Sequence, residues 1–210
     1  MTPPSLICFD LGRVLVRICD DWQHACRIAG VAVPADPLSA ASAAKLHELA
    51  IAEDTGRISF EQFVADAAPL MGLTPTQVRS MSDAYLIGAY EGIDDLLARL
   101  HSRGIQTACL SNTNESHWRL MNDPAHAAYV PLHKMAHRFA SFQVGHRKPD
   151  EGIYAHVEQT TGLSGSAILF FDDVQENIEA ALKRGWRGHR IDPKRDDPMG
   201  QIVDALQGYL

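Results

Sequence analysis

The stretch Ser5–Val16, SLICFDLGRVLV, decides the reading of this chain. Leu6 to Phe9 is a short apolar run of bulky side chains, which suits a strand inside a parallel sheet. It runs directly into Asp10, a carboxylate that is costly to bury unless something pairs with it or uses it. The stretch AILFFDD, residues 167–173, repeats the form and ends in Asp172 and Asp173. A third run, IQTACLS at 105–111, ends in Ser111 and is followed by Asn112 and Thr113.

Outward from these runs, helices and strands alternate from Gly92 onward. IDDLLARLHSRG (93–104) is an amphipathic helix ending at Gly104, and RKPDEGIYAHVEQTTG (147–162) is a helix started by Pro149. QENIEAALKRG (175–185) is stopped by Gly185, RGHRI (187–191) is a short strand, and MGQIVDALQGYL (199–210) is a closing helix. The pattern predicts an α/β fold with a parallel, Rossmann-like sheet and helices on both faces. The first strand belongs to that sheet, so the core is expected at residues 1–16 and 92–210, with an insertion at about 17–91. No strand is expected in the insertion. Its segments DDWQHACRIAG and LSAASAAKLHELAIAEDTG each close on glycine. Ser59 and Gln62 form a capping box ahead of SFEQFVADAAPLMG, and Thr74 and Pro75 open a last helix.

Bulk properties narrow the class. A formal net charge of −7 and a pI near 5.8 argue against a nucleic-acid footprint. No segment approaches the roughly 18 uninterrupted apolar residues of a membrane span. The N-terminus lacks a basic lead-in, and Asp10 and Arg13 interrupt its apolar stretch, so no signal peptide is read there. Cys8, Cys19, Cys26 and Cys109 fall into no CxxC or zinc spacing, which points to a reduced, cytoplasmic protein.

In an open parallel sheet, chemistry sits beyond the carboxyl ends of the strands. Asp10, Ser111 and the Asp172–Asp173 pair all stand at such ends, and Lys148 lies in a loop between the last two. If these strands are neighbours, several carboxylates, a hydroxyl and an ammonium share one small volume. Such carboxylates repel unless a cation resolves them, and an all-oxygen donor set favours a hard ion such as Mg²⁺. Ser111, Lys148 and nearby backbone amides are then left to hold an anion. That set suits phosphoryl transfer, with Asp10 forming an aspartyl-phosphate that water hydrolyses. Each piece alone has a plainer reading: a helix cap, a turn, a solvated lysine. Their order at successive strand ends is what argues for chemistry.

FDLGRVLV, LSNTN, RKP and FFDDVQENIEAA resemble, in order, the four motifs of the haloacid dehalogenase-like hydrolase superfamily. EDTGRISFEQF resembles a recurring stretch of its helical cap, and DLG in the first motif is similar to one subgroup of its phosphatases. The resemblance implies Asp10 as nucleophile and Mg²⁺ ligand, with the backbone carbonyl of Gly12 as a second ligand. It implies Asp173 as a direct metal ligand with Asp172 beside it, and Asn177 as the residue orienting that loop. Ser111 and the amide of Asn112 would hold the phosphate, with Lys148 bridging phosphate and nucleophile. The expected partner is a small phosphorylated substrate such as a sugar phosphate. The sequence assigns no oligomeric state.

Gly12 departs from the pattern, because most phosphatases of the superfamily carry a second Asp there as general acid and base. Loss of such a group costs about 10²–10⁴-fold in rate. A good leaving group, a cap residue (Asp20, Asp21, His24 or Arg57), or a specialised reaction would each account for it. Two further readings stay open, a metal-independent 2-haloacid dehalogenase and a non-catalytic binding member. Dehalogenases lack the acidic pair that Asp172 and Asp173 supply here. His133 and His137, four apart, could share a helix face but read as a surface pair. His117, Tyr154 and Trp186 read as packing residues.

Overall fold

A computed structural model describes residues 3–35, 38–192, 194–195 and 197–210. Five parallel strands form the central sheet: β1 (Leu6–Phe9), β4 (Gln106–Ser111), β5 (His137–Ala140), β6 (Ile168–Asp172) and β7 (Arg187–Arg190). Their order across the sheet is β5-β4-β1-β6-β7, so β1 is central and flanked by β4 and β6. Phe9 stands in register with Cys109 on one side and Phe171 on the other. The strand ends named above therefore open on a single edge.

Side-chain alternation explains why this sheet is covered on both faces. Ile7 and Phe9 join one buried cluster with Leu97, Leu100 and Ile202, from α5 (Ile93–Ser102) and α10 (Pro198–Ala205). Leu6 and Cys8 point the other way, into a cluster with Tyr154, Val157 and Ile178 from α8 (Glu151–Thr161) and α9 (Gln175–Lys183). Tyr154, Phe170 and Trp186 meet edge to face in this second cluster, the packing role expected of Tyr154 and Trp186.

Among the described residues, four helices lie between β1 and α5: α1 (Trp22–Ile28), α2 (Ala40–Asp54), α3 (Phe60–Met71) and α4 (Pro75–Ala84). They bury a cluster of their own, including Val64, Ala67, Met71 and Val78. The expectation of no strand in this stretch is corrected by β2 (Val16–Ile18) and β3 (Leu86–Ala89), an antiparallel pair at its root. Strands this short leave little periodicity, and their pairing joins residues about seventy positions apart.

Several local expectations also change. Ser59 accepts from the Gln62 amide, but the Gln62 side chain turns to Asp66 rather than back to Ser59. The complete capping box is at Thr74 and Gln77. Pro149 does not open α8; it follows a cis bond from Lys148, and Asp150 precedes the first helical residue. His133 lies in a single 3₁₀ turn and His137 in β5, so they share no helix face. No helix among the described residues is long and apolar enough to cross a membrane. The edge strand β5 (with α6, Glu115–Asn122, and α7, Ser141–Val144) completes the core around β4.

Candidate active site

β1 delivers Asp10 to the polar edge, where its amide still donates to the Phe171 carbonyl at 2.8 Å. Oδ1 accepts from the Leu11 amide at 2.7 Å and faces Lys148 Nζ at 2.8 Å. No hydrogen bond among the described residues reaches Oδ2. Lys148 is buried, and its Nζ also donates to Asp172 Oδ2 at 2.7 Å.

A loop holds the lysine there. Asn112 accepts from the Lys148 amide at 2.8 Å and donates to the Lys148 carbonyl at 2.9 Å. The next residue, Thr113, exchanges two hydrogen bonds with the Ser141 hydroxyl, at 2.9 and 3.0 Å. Asn112 thus ties the end of β4 to the lysine backbone, and Ser141 ties the same loop to α7. Ser111 is buried at the end of β4 with only a long 3.5 Å contact to the Asn112 carbonyl, so its hydroxyl is uncommitted to any strong partner.

At the end of β6 the two aspartates differ. Asp172 is fully buried and both oxygens are engaged, by Lys148, by Asn177 Nδ2 at 3.0 Å to each oxygen, and by the Val174 amide at 2.8 Å. Tyr154 in turn donates to the Asn177 carbonyl at 2.9 Å. Asp173 lies nearer the opening, with an Arg13 guanidinium nitrogen 3.9 Å from Oδ2. Arg190 donates to its carbonyl oxygen at 3.1 Å.

One oxygen from each of Asp10, Asp172 and Asp173 lies within 4.8 Å of the others. Three carboxylates against the Lys148 ammonium and the Arg13 guanidinium leave excess negative charge. Burial pushes the Asp10 carboxyl up to about 7 despite Lys148, with Asp172 and Asp173 adding to the rise. Burial and Asp172 also raise Asp173. Burial alone would lower Lys148, but the charges of Asp10 and Asp172 outweigh it and hold the ammonium above its ordinary value. The donor chemistry fits a hard dication. Asp172 is already spent on protein donors, whereas Asp10 and Asp173 each keep an oxygen available, and Mg²⁺ takes one or two carboxylates plus waters. Gly12 sits in the tight turn after Asp10, bridged to Val16. A Cβ there would come 3.2 Å from the Ile18 side chain.

The candidates in the helical segment separate clearly. Asp21 caps α1, accepting from the His24 amide at 2.6 Å, and Arg57 is exposed and bonds Thr55 of its own loop. Asp20 lies 3.8 Å from Arg13 and 3.6 Å from His24, so Arg13 links this pair to Asp173. Sequence reasoning passed over Arg13, although it directly follows Gly12. Its φ of 57° makes it the one non-glycine in the left-handed region among the described residues. Arg147, 3.6 Å from Asp54 of α2, was also missed. His117 packs as expected, bonding the Ser82 carbonyl at 2.9 Å.

A family profile for haloacid dehalogenase-like hydrolases matches residues 31–185. The chain belongs to this hydrolase family. Among curated relatives, the Mycobacterium tuberculosis protein named Phosphatase MT3486 is 27% identical over 109 residues, 51% of this chain and 48% of its own. The chain thus spans about half the length of the curated relative it matches. Among solved structures, HAD family enzyme bt-2542 from Bacteroides thetaiotaomicron superposes with a TM-score of 0.78 at 19% identity, over 93% of this chain and 97% of its own. That protein has also been solved in complex with magnesium and inorganic phosphate. A HAD-like family hydrolase from Porphyromonas gingivalis gives a TM-score of 0.78 at 21% identity, over 98% and 99% of the two chains. At these identities the structural likeness speaks for the fold.

Two cavities bear on the hydrolase. The larger, about 640 Å³, lies between α8 and α9 and is lined by none of the polar strand ends. A second, about 350 Å³, lies where the helical segment meets Asn112, Thr113 and Asn114.

Proposed function

We propose that the chain is a Mg²⁺-dependent phosphatase that hydrolyses a small phosphate monoester through an aspartyl-phosphate on Asp10. The observation that carries this reading is the buried Lys148 ammonium, in contact with both Asp10 and Asp172 beside the open carboxylate Asp173. In this reading Asp10 and Asp173, with the Gly12 carbonyl, hold the metal. When bound, Mg²⁺ supplies positive charge that lets an anionic nucleophile approach an anionic phosphate.

The chain's own residues do the rest. Leu11 and Lys148 fix Asp10 through Oδ1, leaving the carboxylate aligned for attack on phosphorus. A bond forms from Asp10 to phosphorus, and the bond to the leaving oxygen breaks, its electron pair going to that oxygen. Ser111 and the Asn112 amide hold the phosphate oxygens, and water then cleaves the Asp10–phosphorus bond to release inorganic phosphate. Asp172 acts through Lys148, holding the ammonium in place. Residues 17–91 act as a cap over this edge, excluding water and contacting the rest of the substrate. With glycine at position 12, the leaving oxygen receives no proton from that position, which favours a weakly basic leaving group.

The acidic pair speaks against the metal-independent dehalogenase, since three carboxylates against only Lys148 and Arg13 keep excess negative charge in one small volume unless a metal ion joins them. The deciding experiment is hydrolysis of a panel of phosphate monoesters with Mg²⁺ and with EDTA. Metal-dependent turnover that is abolished by Asp10→Asn is the expected result; full turnover by Asp10→Asn, or in EDTA, overturns it.

A further inference from the structure

The 350 Å³ cavity has a floor and a roof of different character. Its floor is Asn112, Thr113 and Asn114, directly after Ser111, so it adjoins the loop assigned to phosphate. Its roof comes from all four helices of the segment between β2 and β3. Trp22, Phe63, Met81 and Tyr85 make much of that roof apolar or aromatic.

Most polar side chains around it are already committed. His117 Nε2 lies 3.2 Å from the Ser82 hydroxyl and 2.9 Å from the Ser82 carbonyl. Asn114 Oδ1 caps α6, accepting from the His117 amide at 2.9 Å. Asp54 pairs with Arg147, and Asn112 is held by the Lys148 backbone. Among the lining residues, Glu53 is the one with a buried side-chain atom that has no hydrogen-bond partner: it is 5% exposed, and Oε1 is that atom.

We infer that this cavity receives the alcohol portion of the phosphate ester, and that this portion is an aromatic or similarly apolar alcohol bearing one polar group for the Glu53 carboxyl. The inference rests on the phosphatase reading and deepens it. A polyhydroxylated sugar ring would strand most of its hydroxyls against Trp22, Phe63 and Met81, because much of the polar lining is spent internally. A flat ring suits the aromatic roof. An aryl oxygen is also a weakly basic leaving group, which answers the missing acid at Gly12 from an independent direction. Burial and the neighbouring Asp54 push the Glu53 carboxyl up to about 8, against a hydrogen bond from Asn114, so at neutral pH it is an acid able to donate.

The test compares 4-hydroxyphenyl phosphate, 4-methylphenyl phosphate and glucose 1-phosphate in the full chain with Mg²⁺. Turnover is measured for the wild type, Glu53→Gln and Glu53→Leu, and binding is measured by calorimetry in each of these combined with Asp10→Asn. Both aryl esters are expected to exceed glucose 1-phosphate in kcat/KM. The hydroxyl compound is expected to bind roughly tenfold more tightly than the methyl one. Gln should keep that preference and Leu should erase it. A preference for glucose 1-phosphate, or an identical hydroxyl-to-methyl ratio in all three proteins, overturns the inference while the phosphatase reading stands. Binding with the expected Glu53 dependence but no turnover of any ester overturns the phosphatase reading instead. Absence of both binding and turnover overturns both.

Discussion

Lys148 Nζ donates to Asp172 Oδ2 at 2.7 Å, with both side chains almost wholly removed from solvent. Asp172 gains nothing from water, so its charge is compensated by Lys148, Asn177 and the Val174 amide alone. The same ammonium serves Asp10, which makes one lysine the counter-ion for two buried carboxylates. Removing it leaves both carboxylates without their shared counter-ion. Lys148→Met is expected to lower unfolding free energy by about 3–5 kcal/mol, the usual consequence of deleting one partner of a buried ion pair. Urea unfolding in EDTA checks this, and a loss below about 1 kcal/mol would mean that the carboxylates neutralise by taking up protons instead.

Asn177→Leu separates orientation from charge. Asn177 donates to both oxygens of Asp172 and accepts nothing from it. Losing these bonds leaves a buried carboxylate one donor short, an expected cost of about 1–3 kcal/mol. Turnover should fall with little change in KM, because the substrate is not touched. A change confined to KM would place Asn177 at the substrate instead.

Metal binding should appear as stability before it appears as activity. A ligand that binds only the folded state at a hundred times its Kd adds about 2.7 kcal/mol. Saturating Mg²⁺ is therefore expected to raise the melting temperature of the wild type, and Asp173→Asn should remove most of that rise. Asp172→Asn should act differently, lowering stability with and without Mg²⁺, because its oxygens serve Lys148 and Asn177. Equal behaviour of the two variants would refute this division of labour.

The strand ends could be read because burying a charged residue at the end of an apolar run has few explanations, and Asp10, Asp172 and Asp173 all show it. Lys148 stood out through its place between these runs and through RKP, which resembles one of the family's motifs. What packing alone decides could not be read. Nothing local distinguishes Glu53 from the exposed Glu48 on the same helix, since burial of Glu53 depends on how α2 meets the loop after β4. The β2–β3 pair was hidden for the same reason, its two short strands being joined only by the folded chain. Pro149 misled because proline at a helix start and proline in a tight turn look alike in sequence, and here Asp150 intervenes.

Gly56 is held twice over. Its φ is 67°, and a Cβ placed there would lie 2.3 Å from the Phe142 carbonyl oxygen, where α2's trailing loop meets α7. Gly56→Ala therefore meets both backbone strain and a collision with backbone that cannot rotate away. An expected loss of about 1–3 kcal/mol follows from the strain alone. Gly30, also at φ 67° but with nothing near its Cβ position, is the control. Gly30→Ala should cost less, and equal losses would show that the contact with Phe142 contributes nothing.

Glu53 also gives the chain a pH dependence with a definite sign. In the folded state its carboxyl is raised from 4.5 to about 8, first by burial and then by Asp54. Between those values the folded chain holds a proton that the unfolded chain releases, so stability is full below about 4.5 and is lost as pH rises through 8. The cost of ionising this one group on going from pH 5 to pH 8 is on the order of a few kcal/mol. Asp54, raised to about 6, and Asp10, raised to about 7, act in the same direction, so the wild type should weaken steadily across this range. Glu53→Gln removes only its own share, and its unfolding free energy in EDTA should fall less steeply between pH 5 and pH 8. Parallel curves for the two proteins would mean that Glu53 is ionised in the folded chain, and its carboxyl could then accept but not donate within the cavity.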